Sequence, residues 1–240
     1  MKIRVIDTKH KNAYLNMGID EVLMRNCTAP VLRFFAWKPA AISIGYFQGL
    51  NEEVDLDKCK EHGVDYVRRI TGGGAVFHDA ELTYSFVIPE KDCPEDILES
   101  YGIICGAIIK GLNKLGIDAK YAPINDIICN GKKISGNAQT RRNKVVLQHG
   151  TILLDVDVDK MFSLLKVPNE KIKDKLIATV KERVAGINKT YDEVASALRQ
   201  GFKEQFNAEL VEDTLTEQEL EQARQIAKAS YSTNEWNHKR

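Results

Sequence analysis

The sequence predicts an α/β fold. Two observations lead to this class: β-rich runs alternate with helical patterns along the first two thirds of the chain, and helical patterns dominate the rest. A chain of 240 residues is also long enough to bury a large core. Nothing in it demands two independent domains. We therefore expect a single domain over residues 1–240, ending in a short helical tail over about 211–240.

The first half of the chain is predicted to contain one helix and four strands. Apolar residues at helical spacing, from Leu15 to Leu23, predict an amphipathic helix over about 11–26. Short β-rich runs predict strands at 31–35, 41–45, 64–68 and 82–88. The turn-like WKPA between the first two strands favours a hairpin, and the last two strands hold a glycine-rich loop between them.

The second half begins with a predicted helix over 97–115, which Gly116 closes because glycine readily adopts the left-handed conformation that ends many helices. In DIICNGKKIS, the NG pair predicts a type I′ turn between two short strands. Thr216 and Glu219 form a capping box that begins the last helix. Between these features, the patterns predict one or two strands over 144–155 and helices over 158–165, 170–183 and 191–206.

Composition argues against several classes of function. Lysine plus arginine equals aspartate plus glutamate, at 34 each, and no long basic run is present, so no nucleic-acid partner is expected. No segment approaches the roughly 20 apolar residues that span a bilayer, and the amino terminus lacks the apolar stretch of a signal peptide. We therefore predict a cytoplasmic protein with no membrane partner. The five cysteines form no C-x-x-C pair, which argues against structural zinc and a disulfide framework.

The stretch RRITGGGAVFHD, residues 68–79, places three glycines between a basic pair and an apolar run. An isolated Gly-Gly pair would indicate a tight turn, but three glycines leave successive backbone N–H groups unobstructed, as in an anion-binding concavity. Arg68 and Arg69 would add guanidinium donors for phosphate or carboxylate. The pattern is neither G-x-G-x-x-G nor a P-loop, so we expect some other phosphate-bearing ligand.

This stretch resembles the signature of the lipoate-protein ligase A family, within the superfamily of lipoate ligases, octanoyltransferases and biotin ligases. Four more segments resemble family segments in the expected order: NMGIDE, LRFFAWKPAAISIGYFQ, NDIICNGKKISGNAQTR and LQHGTILLD. Together they span most of residues 1–190. The resemblance implies an α+β arrangement, with a mixed central β-sheet flanked by helices. It covers the large catalytic domain without the C-terminal accessory domain of bacterial ligases.

The resemblance also implies an activity, that of a lipoate-protein ligase. ATP would activate lipoate to lipoyl-AMP, and the lipoyl group would pass to a lysine of a lipoyl domain of a 2-oxoacid dehydrogenase E2 or of the glycine-cleavage H protein. The implied cofactors are ATP, Mg²⁺ and lipoate. The chain resembles the archaeal arrangement of this family, which implies a separate small ligase subunit as a further partner.

The same resemblance implies roles for individual residues, since a mixed anhydride needs fixed donors in a dry cleft. Lys133 matches the family lysine at the acyl carbonyl and phosphate and is the expected catalytic residue, whereas Lys132 is expected to point the other way. Asp126 matches the aspartate near the adenylate and would hold Mg²⁺. The expected binding residues are Arg69 as a charged clamp, the backbone amides of Gly74, Ala75, Val76 and Phe77, and an acyl pocket of Trp37, Gly45, Val76 and His149.

Two alternatives stay open. ELTYS, GYFQ and the ending YSTNEWNHKR resemble octanoyltransferases that work through a cysteine thioester and therefore need a nucleophilic thiol. Here the loop that carries that thiol is replaced by the short YAPIND, and Cys129, the nearest in sequence, lies in an apolar β run where a buried, inert thiol is expected. The second alternative is a non-catalytic lipoyl- or biotin-binding module, against which Lys133, Asp126 and Arg69 argue. A ligase is the favoured interpretation.

Overall fold

The computed structural model of the protein describes residues 1–166 and 173–240. Its strands are β1 (Lys2–Lys11), β2 (Val31–Trp37), β3 (Ala41–Ile44), β4 (Asp65–Arg68), β5 (Val76–His78), β6 (Glu81–Pro89), β7 (Ala119–Ala122), β8 (Asp126–Cys129), β9 (Lys132–Arg142), β10 (Val145–Leu153) and β11 (Glu209–Asp213). Its α-helices are α1 (Ala13–Arg25), α2 (Leu50–Glu53), α3 (Leu56–His62), α4 (Ile97–Lys114), α5 (Val158–Leu164), α6 (Lys173–Arg183), α7 (Tyr191–Gln205), α8 (Glu217–Ile226) and α9 (Asn234–Asn237).

Eight strands form one large sheet in the order β11-β1-β2-β6-β10-β9-β8-β7, and the other three form a small sheet in the order β4-β3-β5. In the large sheet, β1 runs parallel to both β2 and β11, whereas β2, β6, β10, β9, β8 and β7 pair antiparallel. The predicted mixed central sheet flanked by helices is therefore confirmed.

Different helices cover the two faces of the large sheet because side chains alternate along each strand. On β2, Leu32 and Phe34 join the cluster that contains residues of α4 and α7, whereas Val31 and Phe35 join the cluster that contains residues of α1 and α8. Full burial of one such side chain stabilises the fold by roughly 1.5–3 kcal/mol. Polar residues on these covered strands are thus exceptions that require hydrogen-bond partners.

Local chemistry defines the helix ends. The side chain of Asn12 accepts a hydrogen bond from the Leu15 N–H at the start of α1. Thr216 and Glu219 form the predicted capping box at the start of α8, which confirms that prediction. Such caps satisfy backbone N–H groups that a helix leaves free, and each is worth about 1 kcal/mol.

The predicted hairpin of residues 31–35 and 41–45 is wrong. β2 pairs with β1 and β6 in the large sheet, whereas β3 pairs with β4 and β5 in the small one. Every residue of both strands is buried, so no alternation of apolar and polar residues distinguishes one pairing from another. The turn-like WKPA instead carries the chain from one sheet to the other. The sequence analysis also missed strands β1, β5, β7 and β11.

The predicted Asn-Gly hairpin is confirmed. Asn130 and Gly131 both have positive φ, 49° and 75°, as a type I′ turn requires, and they join β8 to β9. The C-terminal region differs from a purely helical tail, because it begins with β11, which pairs with β1. The helix predicted over 170–183 corresponds to α6, and residues 170–172 of it lie outside the described residues. Within residues 1–166 and 173–240, no helix is both long and apolar enough to cross a membrane.

Candidate active site

Two cavities meet beside the glycine-rich loop. The first, of about 170 Å³, lies between the loop, β3, β9 and β10, and the second, of about 430 Å³, extends from it towards α5. Five residues line both cavities: Ala75, Val76, Lys133, Gly136 and Thr151. Lys133 therefore stands at the junction of the two cavities.

The three glycines of the loop differ in their backbone conformation and surroundings. Gly73 has a φ of +93°, a conformation that side chains disfavour. A Cβ atom at Gly72 or Gly74 would meet nothing within 4 Å, so these two positions face open space. Gly45 packs against the loop, because a Cβ there would lie 2.0 Å from the Gly73 carbonyl oxygen. The loop therefore rests on Gly45 and leaves room on its other side.

Arg69 holds this loop from within. Its guanidinium donates to the hydroxyl of Thr71, to the carbonyl and hydroxyl oxygens of Ser43, and to the carbonyl oxygens of Gly72 and Gly74. Burial lowers the pKa of Arg69 to about 10. Arg69 lines the first cavity, and its contact with a ligand stays a prediction.

The loop amides predicted as donors are partly free. No hydrogen bond among the described residues uses the backbone N–H of Gly74 or Ala75, whereas Val76 and Phe77 lie in β5, paired with β3. Arg68, the other basic residue of the motif, lines neither cavity. Its guanidinium donates to backbone carbonyl oxygens, including those of Gln48 and Asn237, and so attaches the C-terminal segment to the loop region.

Lys133 and Asp126 form an ion pair at the junction of the cavities. The Lys133 Nζ lies 2.7 Å from the Asp126 Oδ1, and a Cβ at Gly136 would lie 2.9 Å from that Nζ, so Gly136 makes room for the lysine. Lys132 lines neither cavity, and its Nζ points to the Lys181 carbonyl at 3.5 Å. Within the described residues, no group of three or more His, Cys, Asp or Glu could hold a metal ion. The Mg²⁺ role of Asp126 stays a prediction.

Two buried histidines sit on either side of Arg69, each between a hydroxyl and a carboxylate. In what we call the Thr71 triad, the Thr71 Oγ1 lies 2.7 Å from the His149 Nε2, and the His149 Nδ1 lies 3.2 Å from the Asp20 Oδ2. Asp20 also accepts from Arg33 at 2.7 Å and is buried with it. Burial lowers the pKa of His149. Burial opposes ionisation of Asp20, but the Arg33 charge together with the contacts to His149 and Ser85 holds the pKa of this carboxyl below its usual range.

The second arrangement is the Ser43 triad. The Ser43 Oγ lies 2.7 Å from the His78 Nε2, and the His78 Nδ1 lies 2.6 Å from the Glu81 Oε1. Trp37 stacks on the His78 ring, with centroids 3.9 Å apart and planes 14° apart. The Thr83 hydroxyl donates to the Glu81 Oε1 at 2.6 Å and accepts from the Trp37 indole N–H at 2.7 Å. Together these contacts fix the orientation of the His78 ring.

The structure brings most of the predicted site residues together. The first cavity is lined by Trp37, Arg69, Gly74, Ala75, Val76, Lys133 and His149, and the second by Ala75, Val76, Phe77 and Lys133. Gly45 and Asp126 line neither cavity, but Asp126 forms an ion pair with Lys133, which lines both. The sequence analysis missed Asp20, Ser43 and Glu81. The usable signal was the presence of these polar residues at buried positions among apolar neighbours of two strands and a helix.

None of the five cysteines, all of which lie within the described residues, lines either cavity. Cys59 and Cys105 are buried, and burial raises the pKa of these thiols to about 11 and about 12. Cys129 is partly buried on β8 and packs against the main core cluster. The cavities therefore offer no thiol for a covalent step.

Comparison with known proteins places these features in context. The lipoyl protein ligase A/B catalytic domain family matches residues 12–211. A curated relative, octanoyltransferase LipM of Geobacillus kaustophilus, is 37% identical over 99% of this chain and 98% of its own length. That match extends over 272 positions, more than the 240 residues of this chain, so the relative contains residues with no counterpart here.

Solved structures are similar over the same extent. The bi-partite lipoate protein ligase of Thermoplasma acidophilum superposes with a TM-score of 0.90, is 36% identical, and covers 99% of this chain and 95% of its own. A lipoate-protein ligase A bound with ATP gives a TM-score of 0.88 at 34% identity and covers 99% of both chains.

Proposed function

The chain belongs to the lipoyl protein ligase A/B catalytic domain family, and we propose that within it the protein is an octanoyltransferase. It is an enzyme of the superfamily that contains lipoate ligases and these transferases. The observation that carries the proposal is the set of curated relatives, octanoyltransferases from several bacteria that are 34–37% identical over nearly the whole chain.

The ligase expected from the sequence is wrong. That expectation came from the glycine-rich loop, which resembles ligases, but the curated relatives that match over nearly the full length are octanoyltransferases. ATP and lipoate are bound in related ligase structures. For this chain we propose a donor that is already activated, an octanoyl thioester on a carrier protein, so the reaction needs neither ATP nor Mg²⁺.

The first cavity suits the acyl chain. Apolar side chains of Met17, Trp37, Val76 and Ala138 line it, together with polar side chains such as Arg69 and Lys133. A pocket of this kind orients an apolar chain and leaves its reactive end at the few polar groups. In our proposal the thioester carbonyl lies at the loop, beside the free N–H groups of Gly74 and Ala75.

Lys133 supports transfer from the opposite wall. Its ammonium is held by Asp126 at the junction of the two cavities, where negative charge develops on the acyl oxygen as the acceptor amine attacks. A preorganised cation and N–H donors stabilise such charge more strongly than they stabilise the ground state. This supports the catalytic role of Lys133 in transfer as well as in the ligase reaction for which it was predicted.

The second cavity suits the acceptor. It is the wider of the two and is lined by carboxylates, Asp79, Glu81, Asp155 and Asp157, beside apolar side chains such as Leu153. A lysine side chain presents this combination, an ammonium on an aliphatic stem. We propose that the acceptor is the lysine of a lipoyl domain or of an H protein, entering through this cavity.

The test is a comparison of acyl sources. The protein is incubated with an unmodified lipoyl domain and octanoyl carrier protein without nucleotide, and in parallel with octanoate, ATP and Mg²⁺. Intact mass of the acceptor should show one octanoyl group on its lysine in the first mixture. Modification in the nucleotide mixture alone would overturn the proposal.

A further inference from the structure

A cluster of aromatic and basic side chains lies beside the glycine-rich loop and lines neither cavity. The Tyr46 ring is its centre: the Phe47 ring packs edge-on against it, with centroids 5.1 Å apart, and the Trp236 ring lies 6.0 Å away. We call this cluster the Tyr46 patch. Its members are Tyr46, Phe47, Arg142, Trp236, Lys239 and Arg240.

Three cations of the patch lie over its aromatic rings. The Arg142 Cζ lies 5.0 Å from the Tyr46 ring centroid, the Lys239 Nζ lies 4.9 Å from the same centroid, and the Arg240 Cζ lies 5.1 Å from the Phe47 ring centroid. The Lys239 ammonium also donates to the Tyr46 hydroxyl at 2.9 Å. Ring faces attract cations, but they carry no charge that neutralises them. The patch therefore keeps its positive charge.

Carboxylates do not neutralise that charge either. Within residues 1–166 and 173–240, Arg142, Lys239 and Arg240 form no ion pair. The same cations lower the pKa of Tyr46, first through the hydrogen bond from Lys239 and then through their charges. Basic and acidic residues are equal in number over the whole chain, so this local excess of positive charge marks a surface for an anionic partner.

The backbone that carries the patch is fixed. The Trp236 indole N–H donates to the Arg68 carbonyl oxygen at 2.8 Å, and the Arg68 guanidinium donates to the Tyr46 carbonyl oxygen at 3.0 Å. The Phe47 side chain nevertheless stays 69% exposed. Protein interfaces are enriched in aromatic residues and arginine relative to the rest of the surface. An exposed aromatic ring among cations, on a backbone held in place, has the composition of a protein-binding surface.

The patch adjoins the loop that lines the first cavity. The Tyr46 N–H donates to the Thr71 carbonyl oxygen at 2.9 Å, and the Arg142 Nη2 donates to the Ile70 carbonyl oxygen at 3.3 Å. The proposed function places the thioester carbonyl at this loop. The second cavity, which we assign to the acceptor, extends towards α5, and no patch residue lines it. The position of the patch therefore favours the acyl donor over the acceptor.

We propose that the Tyr46 patch docks an acidic face of the carrier protein that delivers the octanoyl thioester. This inference rests on the proposed octanoyltransferase function. Carboxylates of the carrier would pair with Arg142, Lys239 and Arg240, while Phe47 packs against an apolar part of the same face. Charge complementarity of this kind speeds association, fixes the orientation of the partner and weakens as salt rises.

The first experiment measures binding without chemistry. Fluorescently labelled octanoyl carrier protein is titrated with the full chain, in the absence of acceptor, at low and at physiological salt. Arg142→Glu and Lys239→Glu should each raise the Kd at low salt by about 10-fold, because each variant replaces an attraction with a repulsion. Both variants should also reduce the salt dependence of the Kd. An unchanged Kd in both variants would overturn the proposal.

Lys203→Glu is the matched control for the charge change. Lys203 is exposed on α7, which covers the opposite face of the large sheet from the cluster on which Trp236 packs. Its reversal should leave the Kd for octanoyl carrier protein unchanged. An equal rise in Kd for Lys203→Glu and Lys239→Glu would show that net charge controls binding, and would overturn the assignment to the patch.

The second experiment compares two octanoyl donors. Transfer to an unmodified lipoyl domain is measured with octanoyl carrier protein and with octanoyl-pantetheine, a neutral thioester that has no protein surface. Lys239→Glu should raise the KM for octanoyl carrier protein by about 10-fold with kcat near wild type, and should leave the KM for octanoyl-pantetheine unchanged. Equal changes in KM for the two donors would overturn the proposal, since the patch would then act on the thioester itself.

The outcomes separate the docking surface from the proposed function. If neither donor transfers its octanoyl group but the carrier still binds through Arg142 and Lys239, the function fails and the docking surface stands. If the carrier transfers and neither charge reversal alters its Kd or KM, the docking surface fails and the function stands. Binding of phosphatidylglycerol vesicles or of single-stranded DNA through these residues, without binding of the carrier, would assign the patch to another anion and overturn the proposal.

Discussion

The Thr71 triad and the Ser43 triad have the same hydrogen-bond pattern on opposite sides of one arginine. In both, Arg69 donates to the hydroxyl, the hydroxyl meets a histidine Nε2 at 2.7 Å, and the other ring nitrogen meets a carboxylate. They differ in the partners of the carboxylate. The carboxylate of the Thr71 triad is paired with Arg33, whereas the carboxylate of the Ser43 triad keeps one oxygen without a partner.

This difference separates a fully satisfied network from one with an unsatisfied atom beside a cavity. A buried group with every partner satisfied stabilises one conformation and has nothing left to offer a ligand. A buried group with an unsatisfied atom beside a cavity is less stable until a ligand completes it. Arg69 belongs to both networks, so it ties the fully satisfied one to the loop and to the candidate site.

The largest expected effect would be on stability. Asp20→Asn leaves the Arg33 charge buried without its counter-ion, which should lower the free energy of unfolding by about 3–5 kcal/mol. Glu81→Gln disturbs hydrogen bonds without stranding a cation and should cost about 1–2 kcal/mol. Urea unfolding of both variants measures the two losses. Equal decreases in the free energy of unfolding would contradict the idea that the two carboxylates differ in how strongly they are paired.

Lys133 tests whether the reaction occurs at the cavity that the Ser43 triad reaches. Lys133→Met removes the cation at the junction and should lower octanoyl transfer by about 10²- to 10³-fold, roughly 2.7–4 kcal/mol of barrier, with little change in unfolding. Lys132→Met is the matched control, since Lys132 lines neither cavity. Steady-state rates of octanoyl transfer by the two variants test this prediction. If Lys132→Met has the larger defect in transfer, the assignment of Lys133 as the catalytic lysine is wrong.

The Thr71 triad should also affect how the free energy of unfolding depends on pH. Because burial lowers the pKa of His149, the unfolded chain takes up this proton first as pH falls below about 6.5, and stability then decreases by at most about 1.4 kcal/mol per pH unit. Asp20, whose pKa is also lowered, contributes stability that is lost only below about pH 4. His149→Gln should therefore flatten the unfolding free energy between pH 7 and 5. Parallel curves for wild type and variant would contradict this.

The smallest effect is expected at Cys129. This thiol is partly buried and lines neither cavity, so Cys129→Ser should change the transfer rate by no more than about 0.5 kcal/mol of barrier. A thioester found on Cys129 by peptide mapping would contradict this prediction.

Features governed by neighbouring residues were predictable from the sequence. The Asn130-Gly131 turn, the Thr216 capping box and the loop motif each depend on residues within a few positions of one another. The family resemblance depends on short segments too, and it identified Lys133 correctly as a cavity residue. It favoured a ligase over a transferase, and the curated octanoyltransferase relatives contradict that choice.

Long-range pairing was decided only by the tertiary structure. β1 pairs with β11 from the far end of the chain, and β2 and β3 enter different sheets, although both are buried along their whole length. Ser43, Arg69 and Glu81 come from β3, the glycine-rich loop and β6. The sequence around each of them does not predict that it contacts the other two elements. Their meeting depends on which apolar surfaces bury each other, and a hydrophobic run carries no information about its partner.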